Sequence, residues 1–238
     1  MIKHIRYANL GRADHGWLQS RFHFSFADYY NPQRMGFGKL RVINDDLIKP
    51  GYGFDLHPHK NMEIISYIRS GVISHQDSEG NKGQTKAGEI QVMSAGSGIR
   101  HSEYNLGAEP LTLYQIWIET NKPETQPRWE TQTFPVQPVT DALPLLVSGF
   151  AGEQEHALFI NQKARIFGGR LDKGAVISHK ITAQAYLLAS QGQFEISGSG
   201  SAQRVILNQG DGAEVTETGE LTIKALTDCE LVLIDLPA

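Results

Sequence analysis

Cysteine is almost absent from this chain: its 238 residues include one, Cys229. A lone thiol makes no internal disulfide, and a structural zinc site built on several thiolates is excluded. A reducing, cytoplasmic setting is the expectation. Long apolar runs are missing too. No stretch approaches the roughly 20 residues that span a bilayer as a helix, so no membrane partner is expected. The opening residues, MIKHIRYANLGR, show no apolar segment of a secretion signal. Neither charge sign dominates, with 22 Lys and Arg against 26 Asp and Glu and a net charge of −4. That balance argues against direct nucleic-acid binding. Phosphate-loop spacing, a nucleophile elbow, an H-E-x-x-H pair and a dinucleotide fingerprint are all lacking.

What is present is short apolar runs punctuated by 24 glycines. KLRVIND (39–45), EIISYIRSG (63–71), EIQVMSAG (89–96), LTLYQIWIE (111–119), AYLLASQG (185–192) and ELVLIDLP (230–237) are rich in Ile, Val, Leu, Tyr and Trp. Each is bounded by turn formers, and helical periodicity is scarce. DSEGNKG (77–83) reads as a hairpin turn. The class is all-β, with barrels and sandwiches first. Five of the ten prolines fall between 123 and 144. That stretch reads as a linker, because proline is excluded from central strands. It divides the chain into domains at 1–135 and 136–238. KPGYGF…IRSG…AGEIQVMSAG in the first half is loosely echoed by DKGAVI…ASQG…QGDGAEVTETG in the second, as two copies of one β fold would be.

The chemistry sits in two pairs. In GYGFDLHPHK (51–60), His57 and His59 are two apart, and in GSGIRHSEYN (96–105) so are His101 and Glu103. On a strand, residues i and i+2 leave the same face. Neighbouring strands would therefore aim three imidazoles and a carboxylate at one interior point. Three nitrogens and one oxygen suit Fe(II), Mn(II), Ni(II), Cu(II) or Zn(II). Glu63 shares the parity of His57 and His59 and is the rival fourth ligand. The favoured role for Glu63 is a structural hydrogen-bond acceptor, because the two strand pairs already complete the site.

These residues carry a resemblance. Gly51, His57-Pro58-His59, Glu63 and Gly71 resemble the first motif of the cupins, and Gly88, Gly96, His101 and Asn105 the second. Glu63 comes one residue early, Ser94 replaces a usual proline, and four residues rather than two separate Gly96 from His101. Both motif departures are features of one cupin subgroup, the pirins. HGWLQSRFHFSFADYYNPQRMGFGKLRVINDD (15–46), HQDSEGN (75–81), AGEIQVMSAGSGIRHSEYN (87–105) and LYQIWIE (113–119) are similar to that subgroup as well. The resemblance covers most of 12–120 and implies two tandem cupin (jelly-roll-like) barrels, a bicupin.

It also implies one divalent transition metal in the N-terminal barrel, with His57, His59, His101 and Glu103 as ligands. Fe(II) comes first, and Zn, Mn, Ni, Cu or Co are the alternatives. In the C-terminal half, aligning Gly174 with Gly51 puts Lys180 and Thr182 at the positions of His57 and His59, so a metal-free barrel is expected there. Two functions follow from the resemblance. One is a quercetin 2,3-dioxygenase that cleaves flavonols with O2 and releases carbon monoxide, with Glu103 as catalytic base. Its partners are a flavonol-like aromatic small molecule and O2. The other is a non-enzymatic regulator that docks on a partner protein according to the metal's redox state. His15, His23, His75, His156 and His179 lack paired partners and read as surface or packing residues. The aromatic run Trp17, Phe22, Phe24, Phe26, Tyr29, Tyr30 and Phe37 reads first as core. Lining of an aromatic-substrate pocket is the sharper alternative.

Overall fold

The computed structural model describes residues 1–237 and is built almost wholly of antiparallel strands. Two compact units emerge. One contains Gly11–Phe134 with Leu158–Gln162, and the other contains Met1–Leu10, Pro135–Ala157 and the described residues from Lys163 onward. Strand β1 (Ile2–Ile5) belongs to the second unit. The first unit holds β2 (Gly11–Asp14), β3 (Leu18–Phe22), β4 (Leu40–Ile48), β5 (Gly53–His59), β6 (Met62–Ser70) and β7 (Val72–Asp77). It continues with β8 (Lys82–Lys86), β9 (Glu89–Ser94), β10 (Ile99–Tyr104), β11 (Leu111–Glu119), β12 (Arg128–Thr133) and the short β14 (Leu158–Phe159). The second unit holds β13 (Leu145–Ser148), β15 (Arg165–Leu171), β16 (Val176–Lys180), β17 (Gln184–Gln191), β18 (Gln193–Gly198), β19 (Arg204–Asn208), β20 (Gly212–Val215), β21 (Glu220–Ala225) and β22 (Cys229–Leu236).

Each apolar run named above became a strand: β4, β6, β9, β11, β17 and β22. The first unit has a seven-stranded sheet, β12-β9-β6-β11-β4-β3-β2, and a four-stranded one, β5-β10-β7-β8. The second unit repeats the four-strand order as β16-β21-β18-β19, and its larger sheet runs β1-β20-β17-β22-β15-β13. Adding eleven to each of β9, β6, β11 and β4 gives β20, β17, β22 and β15. The loose echo in the sequence is thus a repeat of topology, and the architecture is two cupin domains. β1 takes the edge place beside β20 that β12 holds beside β9.

The linker reading of 123–144 missed β12. Its residues, RWETQT, lie between Pro127 and Pro135 and contain no proline. An edge strand bonds on one side only, so prolines just outside it cost no ladder bond. DSEGNKG does turn, between β7 and β8. Asp77 Oδ1 accepts from the backbone N–H of Glu79 and of Asn81, each at 3.0 Å, which is how an Asp side chain stabilises a turn.

The first unit buries Leu18, Ile48, Ile68, Ile73, Leu111 and Leu113 in one cluster and Ile64, Met93, Ala95 and Ile99 in another. Among the described residues no helix is long and apolar enough to cross a membrane. Asn105, fully buried just after β10, ties the unit together at the mouth of the β5–β10 pair. Its Nδ2 donates to Ile48 O at 3.0 Å and Glu109 O at 2.8 Å, and its Oδ1 accepts from Gly107 N at 3.1 Å. Its backbone N–H donates to Tyr52 O, and its C=O accepts from Gly51 N, both at 2.8 Å. Asn105→Ala keeps the backbone bonds but removes three side-chain bonds, one of them to the buried Ile48 carbonyl. It should lower stability by about 1–3 kcal/mol, read as a fall in the urea midpoint at unchanged m-value. An unaltered midpoint would contradict this account.

Candidate metal centre

The site begins with the position of β5. It lies at the edge of the four-stranded sheet, where the missing N–H of Pro58 is tolerated. Gly53 lets it approach β10 closely, since a Cβ there would meet Glu103 O at 2.2 Å. The antiparallel register places His101 directly opposite His57 and Ile99 opposite His59. Residues 99, 101 and 103 of β10 are buried while those between are more open, so His101 and Glu103 share the inner face. The imidazole centroids of His57, His59 and His101 lie 4.5 to 4.9 Å apart. One nitrogen from each of these rings falls within 4.8 Å of the others.

The tautomers follow from the hydrogen bonds. His57 Nδ1 is 2.6 Å from Asp55 O, a carbonyl that only accepts, so Nδ1 carries the proton and Nε2 the lone pair. His75 Nε2 is 3.1 Å from Asp77 Oδ2, so His75 donates there and turns Nδ1 towards His101. His101 Nδ1 is 3.4 Å from His75 Nδ1, so this contact occupies the outer nitrogen of His101 and leaves Nε2 facing inward. The two inner nitrogens, His57 Nε2 and His101 Nε2, face each other at 3.0 Å. Two ring nitrogens this close share either a proton or a metal ion. Burial, with help from His57 and His75, pulls His101 down to about 3. Burial, with help from His101 and His57, pulls His59 down to about 4. Protons are therefore not held there at neutral pH, and a divalent transition metal is the cation these donors fit.

Glu103 completes a second grouping with His75 and His101. Its carboxylate is fully buried and accepts from Gln91 Nε2 at 2.6 Å and Gln115 Nε2 at 3.3 Å. Burial pushes its pKa up, opposed by the neighbouring His75, His57 and His59. A buried carboxylate bonded only to neutral amides is costly unless a cation is near.

A profile for the Pirin family matches residues 4–118, and one described as the quercetinase C-terminal cupin domain matches residues 145–236. A pirin-like protein of Caulobacter vibrioides is 46% identical over 99% of this chain and 99% of its own length. The chain belongs to the pirin family. A quercetin 2,3-dioxygenase of Escherichia coli strain K12 is 42% identical, covering 98% of each chain. The crystal structure of the bacterial pirin YhhW from Escherichia coli, in complex with nickel(II), superposes with a TM-score of 0.91. It shares 41% identity over 100% of this chain and 99% of that one.

In this pirin, Glu63 stands apart from both ligand groupings. It is buried on β6, accepts from Ser94 Oγ at 2.6 Å and lies 3.4 Å from Asn161 Nδ2. His75 did not stand out in the sequence. It is buried, stacks on Trp129 with centroids 4.8 Å apart, and orients His101. The signal was its own i, i+2 partner, Asp77, read only as part of a turn. His23 and His179 are buried, and His15 lines a cavity.

That cavity, about 440 Å³ and wholly within the first unit, reaches His57 and His59. Trp17, Phe22, Phe26, Phe54 and Trp117 line it, so part of the aromatic run is pocket wall. Phe24 is core and Tyr30 is exposed. Trp117 meets His59 edge to face at 4.9 Å. Glu103 is not among the lining residues, but Gln115, bonded to it, is.

Asp46 also lines this cavity. Burial pushes it up to about 7, partly offset by the bond from Ser20. A carboxyl protonated in the folded state and ionised in the unfolded state loses stability as pH rises from about 4 to about 7. Chelator-treated Asp46→Asn protein should therefore gain on the wild type across that range, by up to about 4 kcal/mol at 1.36 kcal/mol per pKa unit. Denaturant midpoints of the two proteins at matched pH values check this. A constant difference from pH 4 to 8 would refute it.

Proposed function

We propose that this pirin is a metal-dependent dioxygenase that cleaves flavonols such as quercetin with O2, one for one, to a depside and carbon monoxide. The supporting observation is the placement of His57 and His59 in the wall of an aromatic-lined cavity of about 440 Å³, within the range of small-molecule sites. His57, His59, His101 and Glu103 are the proposed ligands of a single divalent metal, with Fe(II) first. When bound, the metal supplies Lewis-acid stabilisation of a deprotonated flavonol oxygen and access for O2 to an electron-rich ring.

The chain's own residues do the rest. Trp17, Phe22, Phe26, Phe54 and Trp117 provide flat apolar surface for a fused aromatic ligand and exclude water around it. His75, held by Asp77, fixes the ring of His101 so that Nε2 faces the site. Glu103 is the proposed proton acceptor for the flavonol hydroxyl, because desolvation has already raised its affinity for a proton. To reach the substrate it must relinquish the longer of its two amide bonds, the one from Gln115 at 3.3 Å.

Three tests separate this from its rivals. Elemental analysis after dialysis should give one metal per chain, and a content near two would contradict a single site in the first unit. Glu103→Gln should weaken metal retention or abolish turnover, whereas Glu63→Gln should retain the metal with a loss of at most about 10- to 100-fold in affinity; the reverse result would reassign the ligand. An oxygen electrode coupled to carbon monoxide detection should show equimolar O2 uptake and carbon monoxide release with quercetin. His57→Ala, His59→Ala and His101→Ala should each remove this activity from a folded protein. No turnover with any metal, in a protein that still holds its ion, would favour the partner-binding regulator.

A further inference from the structure

The cavity has a second character on the wall opposite the histidines. His57 and His59 come from the four-stranded sheet, while β3, β4 and β11 of the seven-stranded sheet supply the other side. Each of these three strands contributes an i, i+2 pair: Ser20 and Phe22, Asn44 and Asp46, Gln115 and Trp117. The register sets Phe22 and Gln115 on either side of Asn44, and Ser20 beside Asp46. A polar spot is thereby framed by aromatic rings.

One atom in this spot is unsatisfied. Asn44 is 3% exposed, and its Oδ1 has no hydrogen-bond partner. Buried side-chain acceptors are nearly always paired, and an orphan in a ligand cavity needs an explanation. Next to it, Ser20 Oγ donates to Asp46 Oδ1 at 2.5 Å, which leaves Oδ2 for a ligand. No Lys or Arg lines the cavity, so no side-chain cation on this wall favours a carboxylate or phosphate. The unmet need is for a neutral donor, and the surrounding rings call for that donor on an aromatic group.

We propose that Asn44 and Asp46 form a subsite that reads phenolic hydroxyls on the part of an aromatic ligand reaching across from the histidine wall. A ring hydroxyl donates to Asn44 Oδ1, and a second one exchanges a hydrogen bond with Asp46. The high pKa of Asp46 supports this, since a protonated carboxyl both donates and accepts. The subsite rests on the reading that a flavonol occupies this cavity, and it adds what distinguishes one flavonol from another. A site built to bond a hydroxyl discriminates against the analogue lacking it, because its polar groups are then buried unpaired.

The test is anaerobic binding to the metal-loaded protein, followed by the fluorescence of Trp17 and Trp117 in the cavity wall. The probes are 3-hydroxyflavone, which has no other hydroxyl, two 3-hydroxyflavones hydroxylated only on the fused ring or only on the pendant ring, and quercetin. In the wild type, quercetin and one of the singly decorated ligands should bind about 10- to 100-fold more tightly than 3-hydroxyflavone. In Asn44→Leu that ratio should fall towards one, and the isosteric Asp46→Asn should lower it too. If the wild type binds all four equally, the subsite is overturned while flavonol binding stands; that comparison needs no variant to fold. A ratio unchanged in folded Asn44→Leu also overturns it. If none of the four binds, the subsite and the dioxygenase reading fall together.

Discussion

An imidazole offers a metal one lone pair, and the partner of its other nitrogen decides which atom carries it. In this pirin that rule acts through one strand pairing. β5 and β10 run antiparallel with His57 opposite His101, and the outer nitrogens of both rings are occupied by Asp55 O and His75. The inner nitrogens are left facing each other at 3.0 Å. Slipping the register by one residue would turn the inner-facing side chains of β5 away from those of β10 and disperse the donors. Gly53, the edge position of Pro58 and the buried Asn105 all serve this pairing. They admit the close approach, tolerate the missing N–H and pin the ends of both strands.

The two sheets of the first unit divide the work. The smaller brings the imidazoles and Glu103; the larger brings Gln91, Gln115 and the cavity floor. Burial is the common electrostatic agent. It lowers His59 and His101 and raises Glu103 and Asp46, in each case favouring the neutral form. Neutral imidazoles are ligands, and a carboxylate that resists ionisation alone is one that gains from a nearby cation. Burial thus prepares both donor types.

The second unit shows what the same topology looks like with different interior residues. Its strand pair β16 and β21 buries Ile177, His179, Leu221 and Ile223. His179 lies opposite Leu221 and packs edge to face on Phe167 at 4.5 Å. Lys180 is exposed, and Thr182 Oγ1 donates to Asp235 Oδ2 at 2.6 Å. The interior is an apolar cluster that includes Phe194, Leu207 and Leu233.

Strand class, the turn at 77–83, the repeat and the inward parity of His57, His59, His101 and Glu103 were all legible in the sequence. They depend on local chemistry: apolar alternation, turn formers, and the period of two that any strand obeys. The aromatic run was half legible. Composition marks Trp17, Phe22 and Phe26 as buried surface, but cannot say whether a neighbour fills the space beside them. Local spacing favoured Glu63 as an acceptor but could not name its partner, and it could not assign His75, since each contact comes from a distant strand. Ser94 lies 31 positions from Glu63 and His101 lies 26 from His75. Strand β12 was hidden by its flanking prolines, because whether a strand is central or at an edge is a property of the sheet. The sequence by itself determined which side chains share a strand face, through the alternation of the β backbone. Tertiary structure decided which faces meet, which acceptors go unpaired and where a cavity opens, because those depend on register between strands far apart in the chain.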